Sequence, residues 1–346
     1  QKTAYEISTR DWSSDVCSSD LYNNGKLIQA GVLEGVINPY SLTQTPAAMD
    51  LINSALLAGT LMSGKATTTA ADVSASRELA DWFGAGRPAA LALGAEYRRE
   101  EMHQYAHPDY ASKVVASTGV DPATDNKGSR NIDALYTELE VPITRTLDAT
   151  VAVRWDNYSD FGNTTNPKVS FRWQPSKMFL MRGSYSTGFR APSLYDLYAA
   201  QAYTNSATVN DPLTCPGGTP AQGQTRINNC SAQFQVLNGG NTGLQPEKSK
   251  SWTLGFVLEP ARDLSLGADL WWVRLTNQIG VIGTNTLYDP ANYSIFSQYF
   301  HRDSTGHLST DGTACPGTDC GYVDTRTQNL GGVNTNGLDL SAQYRL

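Results

Sequence analysis

Charge is scarce in this chain of 346 residues: 17% of its side chains are Asp, Glu, Lys or Arg, against about 25% in ordinary globular proteins. The charge present leans acidic, with 26 basic and 33 acidic groups, a net −7 and a pI of 5.1. A nucleic-acid partner, which needs a basic surface, is not expected. Long apolar runs are missing as well. Nothing approaches the roughly 20 residues of a membrane helix, and mean hydropathy is −0.37. That excludes a helical membrane protein but not a membrane barrel, whose strands each show only weak alternating hydrophobicity. Histidine, with 4 residues, and cysteine, with 5, are few. No GxSxG, P-loop or dinucleotide fingerprint occurs, so neither a catalytic residue nor a cofactor is expected. The abundant types are tyrosine, with 17, and tryptophan, with 7.

Residues 1–22 are Ser/Asp-rich, follow neither a helical nor a strand period, and lack the basic and apolar regions of a secretion signal. The stretch DWSSDVCSSDL resembles translated adaptor or assembly scars in environmental sequence data. Residues 1–22 are therefore read as a non-native or disordered segment, and Cys17 is left out of the cysteine arithmetic. A strand is expected within 25–38. Thr45 and Pro46 then read as the N-cap and first position of a short helix, with Met49, Ile52 and Leu56 at helical spacing.

From a weaker strand at 68–82 onward, and clearly from 89, period two dominates. One face carries Leu91, Leu93, Ala95 and Tyr97, then Leu135 to Val141, Ala149 to Trp155, Val169 to Trp173, Phe179 to Tyr185, Trp252 to Leu258, Leu264 to Trp272 and Leu338 to Tyr344, taking alternate residues. None of these positions is charged. The other face holds Glu96, Arg98, Glu138, Arg154, Lys168, Arg172, Arg182, Asp269 and Asp339. A soluble sandwich segregates its faces in the same way, so the connections decide. Short links marked by Pro88, Pro142, Pro175 and Pro260 alternate with longer ones of about 30 residues from 101, 9 from 158, 60 from 190 and 59 from 276. In an antiparallel meander all short turns then share one rim and all long loops the other, as in outer-membrane barrels. A segment of ten residues tilted about 45° spans roughly 23 Å, close to the apolar band of such barrels. Trp155, Tyr185, Trp252 and Trp272 fall toward the long-loop rim and Trp173 toward the short-turn rim, forming an aromatic girdle.

The blocks DFGNTTNPKVSFRWQP and LMRGSYSTGFRAPSLYDLY, with LALGAEYRRE, GLQPEKSKSWTLGFVLEP and NLGGVNTNGLDLSAQYRL, resemble in order the barrel of a TonB-dependent outer-membrane receptor. Within them, Pro167 is expected to open a strand, and Pro192 to end pairing after Gly188. The resemblance implies a barrel of about 22 strands filled by an N-terminal plug, with a nearby box that engages TonB. Residues 23–346 are read as part of that barrel: an all-β, antiparallel up-and-down transmembrane β-barrel of some 9–10 strands, incomplete, with long external loops, short periplasmic turns and no plug. The implied function is active uptake of a scarce nutrient across the Gram-negative outer membrane, the nutrient being a ferric siderophore, cobalamin, a metal, a peptide or an oligosaccharide. The implied partners are outer-membrane lipid, the TonB complex and that nutrient. A passive porin-like channel and a soluble extracellular β-sandwich adhesin are the alternatives.

Loop aromatics are the ligand-contact candidates: Tyr195, Tyr198, Tyr203, Tyr288, Tyr293, Tyr299 and Phe300. The four remaining cysteines all lie in the two longest loops. They permit three pairings, of which the local one, Cys215 with Cys230 and Cys315 with Cys320, suits an oxidising compartment. Zinc is disfavoured by the spacing. His103 and His107 are placed on one helix face, where metal capture is conceivable, but HQYAH is not a metalloprotease motif. Glu138, Arg154, Arg172, Arg182, Asp269 and Asp339 are assigned to the lumen, with pairs such as Glu138 and Arg154 as wall ion pairs.

Overall fold

The computed structural model describes residues 2–16, 32, 34–54, 59–112, 120–310 and 319–345. Its strands in chain order are β1 (Lys2–Val16), β2 (Gly59–Glu78), β3 (Ala90–Ala106), β4 (Asp125–Pro142), β5 (Leu147–Tyr158), β6 (Gly162–Ser176) and β7 (Phe179–Arg190), then β8 (Ala202–Val209) and β9 (Ala232–Asn238). They continue with β10 (Glu247–Ala261), β11 (Leu264–Thr276), β12 (Ile279–Gly280), β13 (Phe300–His301), β14 (Tyr322–Asp324), β15 (Gln328–Asn329) and β16 (Gly332–Tyr344). Ten of them form one antiparallel meander in the order β1-β2-β3-β4-β5-β6-β7-β10-β11-β16, and the two edges are not paired with each other.

Register shows why alternate residues were uncharged. Tyr185 lies opposite Trp252, and Trp252 opposite Trp272. Leu135 lies opposite Trp155, Val151 opposite Val169, and Leu270 opposite Leu338. The apolar residues of neighbouring strands thus merge into one continuous face, because a one-residue slip anywhere would move a whole strand's set to the other side. Among the described residues no second layer covers it. Leu93, Leu135, Val151, Phe171 and Leu340 are exposed, and Val153 and Leu254 are only half-buried. The buried apolar clusters lie elsewhere, in the connections and at the long-loop ends of β2 and β3.

Two long connections, 191–246 and 277–331, build a cap. In it β8, β9, β14 and β13 make a four-stranded sheet, with β14 parallel to β9, around Phe234, Val236, Leu287, Tyr288, Phe300, Leu308 and Val323. Cys215 and Cys230 are joined by a disulfide across 15 residues. Cys320 is also disulfide-bonded, while its expected partner Cys315 lies outside the described residues.

Several elements depart from expectation. Lys2–Val16, where the sequence shows no strand period, is a strand held by backbone pairing along β2. In the described part of 25–38, residues 34–37 are turn and bend and Asn38 is irregular, not strand. The helix comes as read, Pro46–Ser54, with Thr45 Oγ1 accepting from Ala48 N at 3.2 Å, while Leu56 lies outside the described residues. The nine-residue link from 158 shrinks to 159–161: Phe161 stacks on Tyr158 at 4.5 Å, and Gly162 takes φ +90° to turn directly into β6. Pro167 is inside β6 rather than opening it. Pairing with β7 begins only at Lys168, so the missing N–H of Pro167 faces a side with no ladder. His103 sits on β3 and His107 just beyond it, so the helix-face reading is corrected.

Candidate functional site

Charged residues of β3, β4 and β5 gather at the long-loop end of the polar face. Glu96, Arg98 and Glu100 share one face of β3, two residues apart. Arg154 Nη2 donates to Glu96 at 2.8 Å and its Nε to Asp156 at 2.9 Å. Arg98 lies 3.4 Å from Glu96 and 3.1 Å from Glu100. Arg130 closes the series, with Nη2 2.6 Å and Nε 2.8 Å from Glu100 Oε2, and Nη1 3.3 Å from Asp160. Charges of opposite sign therefore alternate from Asp156 to Asp160, each cation between two carboxylates. Tyr158 lies at the centre, its hydroxyl accepting from Arg98 at 3.3 Å and its ring under the Arg130 guanidinium at 5.1 Å.

Arg130 also fastens the cap to the sheet. Its Nη1 donates to the Pro192 carbonyl at 2.7 Å. The chain leaving β7 there folds back over the polar face as a strap containing the short helix Leu194–Tyr198, started by a capping box between Ser193 and Asp196. Two further bonds hold it: Gln104 Oε1 accepts from Ala200 N at 2.9 Å, and Asn126 Nδ2 donates to the Tyr198 carbonyl at 3.2 Å. Gly128 makes this approach possible, since a Cβ there would fall 2.3 Å from the Tyr198 ring. Ile132 and Ala134 of β4 are buried, although they share a face with Glu138.

The expected site residues separate into groups. Tyr195 is half exposed and lines a cavity of about 680 Å³ with Glu100, Met102, Arg130 and Ser193. Tyr198 is half-buried in the strap. Tyr203 lies edge-on to Tyr322 at 5.3 Å. Tyr288 and Phe300, expected at the ligand, are instead buried in the interior of the cap, and Tyr293 and Tyr299 pack against them. The cap is a small β-unit that needs a core, and these rings supply it. His103 bonds Asp125 and His107 bonds Ser63 Oγ, the latter at 2.8 Å. Among the described residues no cluster of three His, Cys, Asp or Glu could hold a metal.

On the wall, Arg182 forks onto Asp269 at 2.9 and 3.0 Å, reaching across Gly255, where a Cβ would lie 2.1 Å from Asp269 Oδ1. Arg172 lies opposite Arg182, and Asp148 relieves it at 3.9 Å. Asp339 accepts from Trp271 Nε1 at 3.1 Å. The expected pair of Glu138 with Arg154 is corrected: Arg154 pairs with Glu96 and Asp156, and Tyr136, opposite Arg154 in register, stacks on its guanidinium at 5.6 Å. The alternating ladder was missed in sequence because it is lateral, joining residues up to two strands apart.

The family model described as TonB dependent receptor-like, beta-barrel matches residues 5–346. The chain belongs to the TonB-dependent receptor family. Members of this family of transport receptors are outer-membrane β-barrels of Gram-negative bacteria, and in such a barrel the apolar face of the strands meets lipid, the polar face lines the lumen and the long loops are external. A probable TonB-dependent siderophore receptor of Acinetobacter baumannii is 26% identical over 192 residues, 54% of this chain and 22% of that protein. A ferric enterobactin receptor of Pseudomonas aeruginosa is 25% identical over 175 residues, 48% of this chain and 22% of that protein. Among solved structures, a mutant of a Pseudomonas aeruginosa ferric enterobactin receptor superposes with a TM-score of 0.57 at 14% identity, covering 98% of this chain and 37% of that one. The siderophore receptor of Acinetobacter baumannii gives 0.52 at 15%, covering 98% and 39%. This TonB-dependent receptor chain thus spans about a fifth of its curated relatives and under two-fifths of the solved ones.

Proposed function

We propose that this chain is barrel wall and external cap of an active-transport receptor that takes up a ferric siderophore, with work supplied through TonB. The observation that carries the reading is the cap folded over the polar face and tied by Arg130 to an alternating ion-pair ladder. A passive pore needs an open mouth, whereas a receptor needs loops that close over what they capture. The names of the relatives point to siderophores as the substrate class, and enterobactin-like iron chelates in particular. Tyr195, Tyr198 and Tyr203 are proposed to meet the ligand from the strap and the cap sheet, with Arg130 beneath them. An aromatic and guanidinium lining suits a flat, anionic iron chelate. Coupling to the inner membrane follows from energetics, since a charge yields about 2.3 kcal/mol per 100 mV only where a potential exists.

The test is uptake of radioactive iron from ferric enterobactin by a strain lacking its own siderophore receptors and carrying the complete gene. Accumulation that disappears on deleting tonB or adding a protonophore is the expected result. Flux indifferent to TonB would instead support a passive porin-like channel, and aqueous partition without detergent a soluble β-sandwich adhesin. The non-native reading of residues 1–22 is tested by resequencing the locus: an uninterrupted reading frame containing DWSSDVCSSDL overturns it.

A further inference from the structure

Three cations stand on the lipid side of the sheet with no carboxylate beside them. Trp252 and Trp272 mark that side, and Lys250, Lys248 and Arg274 follow at even spacing on the same faces of β10 and β11. In register, the row Tyr185, Trp252, Trp272 is succeeded one step toward the cap by Thr187, Lys250, Arg274. A step of two residues along a tilted strand lifts the cations about 5 Å above the rings. Aromatic rings sit at headgroup level, so the ammonium and guanidinium groups stand where lipid phosphates lie.

The pairing itself calls for an anion. Lys250 and Arg274 are directly opposite each other, and like charges in that position destabilise a sheet. On the lumen side the corresponding pair, Arg172 opposite Arg182, is relieved by Asp148 and Asp269. No such relief exists outside: among the described residues none of Lys248, Lys250 and Arg274 has an acidic partner, all three are exposed, and together they line a groove of about 530 Å³. Thr187, Thr165 and Asn163 form its other wall. Thr187 Oγ1 is shielded from solvent and has no hydrogen-bond partner, a donor available to a bound oxyanion.

We infer that this groove binds the phosphate of an anionic glycolipid in the outer leaflet of the outer membrane, with Lys248, Lys250 and Arg274 as counter-charges and Thr187 as hydrogen-bond donor. The inference rests on the lipid-facing assignment of this side of the barrel and not on the transported substrate. Basic clusters at a membrane surface gain affinity for each charge they present, and an anion between Lys250 and Arg274 turns their repulsion into a shared attraction.

The test uses the complete receptor, extracted in detergent and mixed with bisphosphorylated lipid A, its fully dephosphorylated counterpart, or inorganic phosphate, with bound lipid counted by native mass spectrometry. The wild-type protein is expected to retain the bisphosphorylated lipid and the Lys248→Gln/Lys250→Gln/Arg274→Gln variant to lose about tenfold or more of that affinity. Lys177→Gln, in a short turn at the opposite rim, and the charge-conserving Lys250→Arg/Arg274→Lys variant are both expected to retain it. Equal retention by the triple variant, equal binding of the dephosphorylated lipid, loss in either control, or displacement by equimolar inorganic phosphate overturns the assignment. Ferric enterobactin uptake by the triple variant is expected to match wild type. A failed lipid result therefore leaves the transport reading standing, and a failed transport result leaves the lipid site standing.

Discussion

Replacing Arg130 isolates the contact between cap and wall. Its guanidinium is 6% exposed and makes four polar contacts: two to Glu100, one to Asp160 and one to the Pro192 carbonyl. In Arg130→Met the stem is retained while all four are lost. Glu100 keeps Arg98 at 3.1 Å, so it is not stranded, which places the electrostatic loss at the lower end of the 3–5 kcal/mol expected for a broken buried pair, about 3 kcal/mol. The share that opens the strap is the Pro192 bond, since Gln104 and Asn126 still hold Ala200 and Tyr198. Stranding one buried carbonyl costs about 1–3 kcal/mol, equivalent to about a 5- to 140-fold rise in the open population. Hydrogen exchange reads this directly: the amides of Leu197 and Ala199, bonded within the strap to Ser193 and Tyr195, are expected to exchange faster by that factor, while sheet amides of β10 and β11 are unchanged. Arg130→Lys, a point charge without the fork, should fall between. Unchanged exchange at Leu197 and Ala199 in Arg130→Met would refute the idea that this residue fastens the strap.

The cap should loosen on its own when Cys230→Ser opens the 15-residue disulfide loop. A cost of about 3 kcal/mol in the chain-entropy model is expected as protease cleavage between 210 and 232 at temperatures where the sheet still resists. The cap should also be acid-labile. Burial pushes the Asp211 carboxyl up, but the Arg302 fork at 2.7 and 2.8 Å and the amide of Leu213 outweigh it and hold the group below its ordinary 3.8. A depressed folded value means stability present above the unfolded value and lost as pH falls through the folded one. Protease susceptibility of the cap should thus rise below about pH 4, and Asp211→Asn should flatten only part of that rise, because Asp324, with its carboxylate on Arg326, is depressed too. Gly255→Val, favourable by strand propensity, should nevertheless lower the melting temperature in detergent because its Cβ meets Asp269. Adding Asp269→Ala should recover part of the loss, and a Gly255→Val protein melting as wild type would contradict the reach of Arg182 across that glycine.

The sheet was legible because lipid imposes a single rule on every strand. A residue at Leu93, Val151 or Leu338 meets the same hydrocarbon whatever lies beside it, so the pattern is local and survives without knowledge of neighbours. Strand ends obey a different rule. Beyond the membrane the long-loop ends of β3 and β4 continue to Ala106 and from Asp125 in water, where backbone pairing suffices and alternation is no longer required. That is why the link from 101 looked longer than it is. Pro167 misled for a related reason: whether its missing N–H matters depends on where β7 begins to pair, a lateral fact absent from the linear chain. The ion-pair ladder was hidden in the same way. Glu96, Arg98 and Arg154 were assigned to the polar face, but Arg154 chooses Glu96 across a strand instead of Glu138, and only the register in space decides that.

The aromatic residues give the sharpest contrast. Trp252 and Tyr288 are both large rings in a chain rich in them, yet one stands exposed on the uncharged face of the sheet and the other closes the core of the cap. What separates them is the company they keep along the sequence. Trp252 is flanked at every second position by Lys250, Leu254 and Phe256, and this alternation places it in a strand with one solvent on each side. Tyr288 and Phe300 stand in stretches with no period, joined by turns such as Gly283 to Leu287 and Asp289 to Asn292. Such stretches can bury a ring only by folding back on other loops. A tyrosine in an aperiodic external loop is therefore first a candidate for the core of that loop and becomes a ligand contact only where, like Tyr195, it remains open to a cavity. Applied to the seven loop aromatics, this criterion removes Tyr288 and Phe300, demotes Tyr293 and Tyr299, and leaves the strap, with Tyr203 of the cap sheet, as the surface on which substrate recognition should be sought.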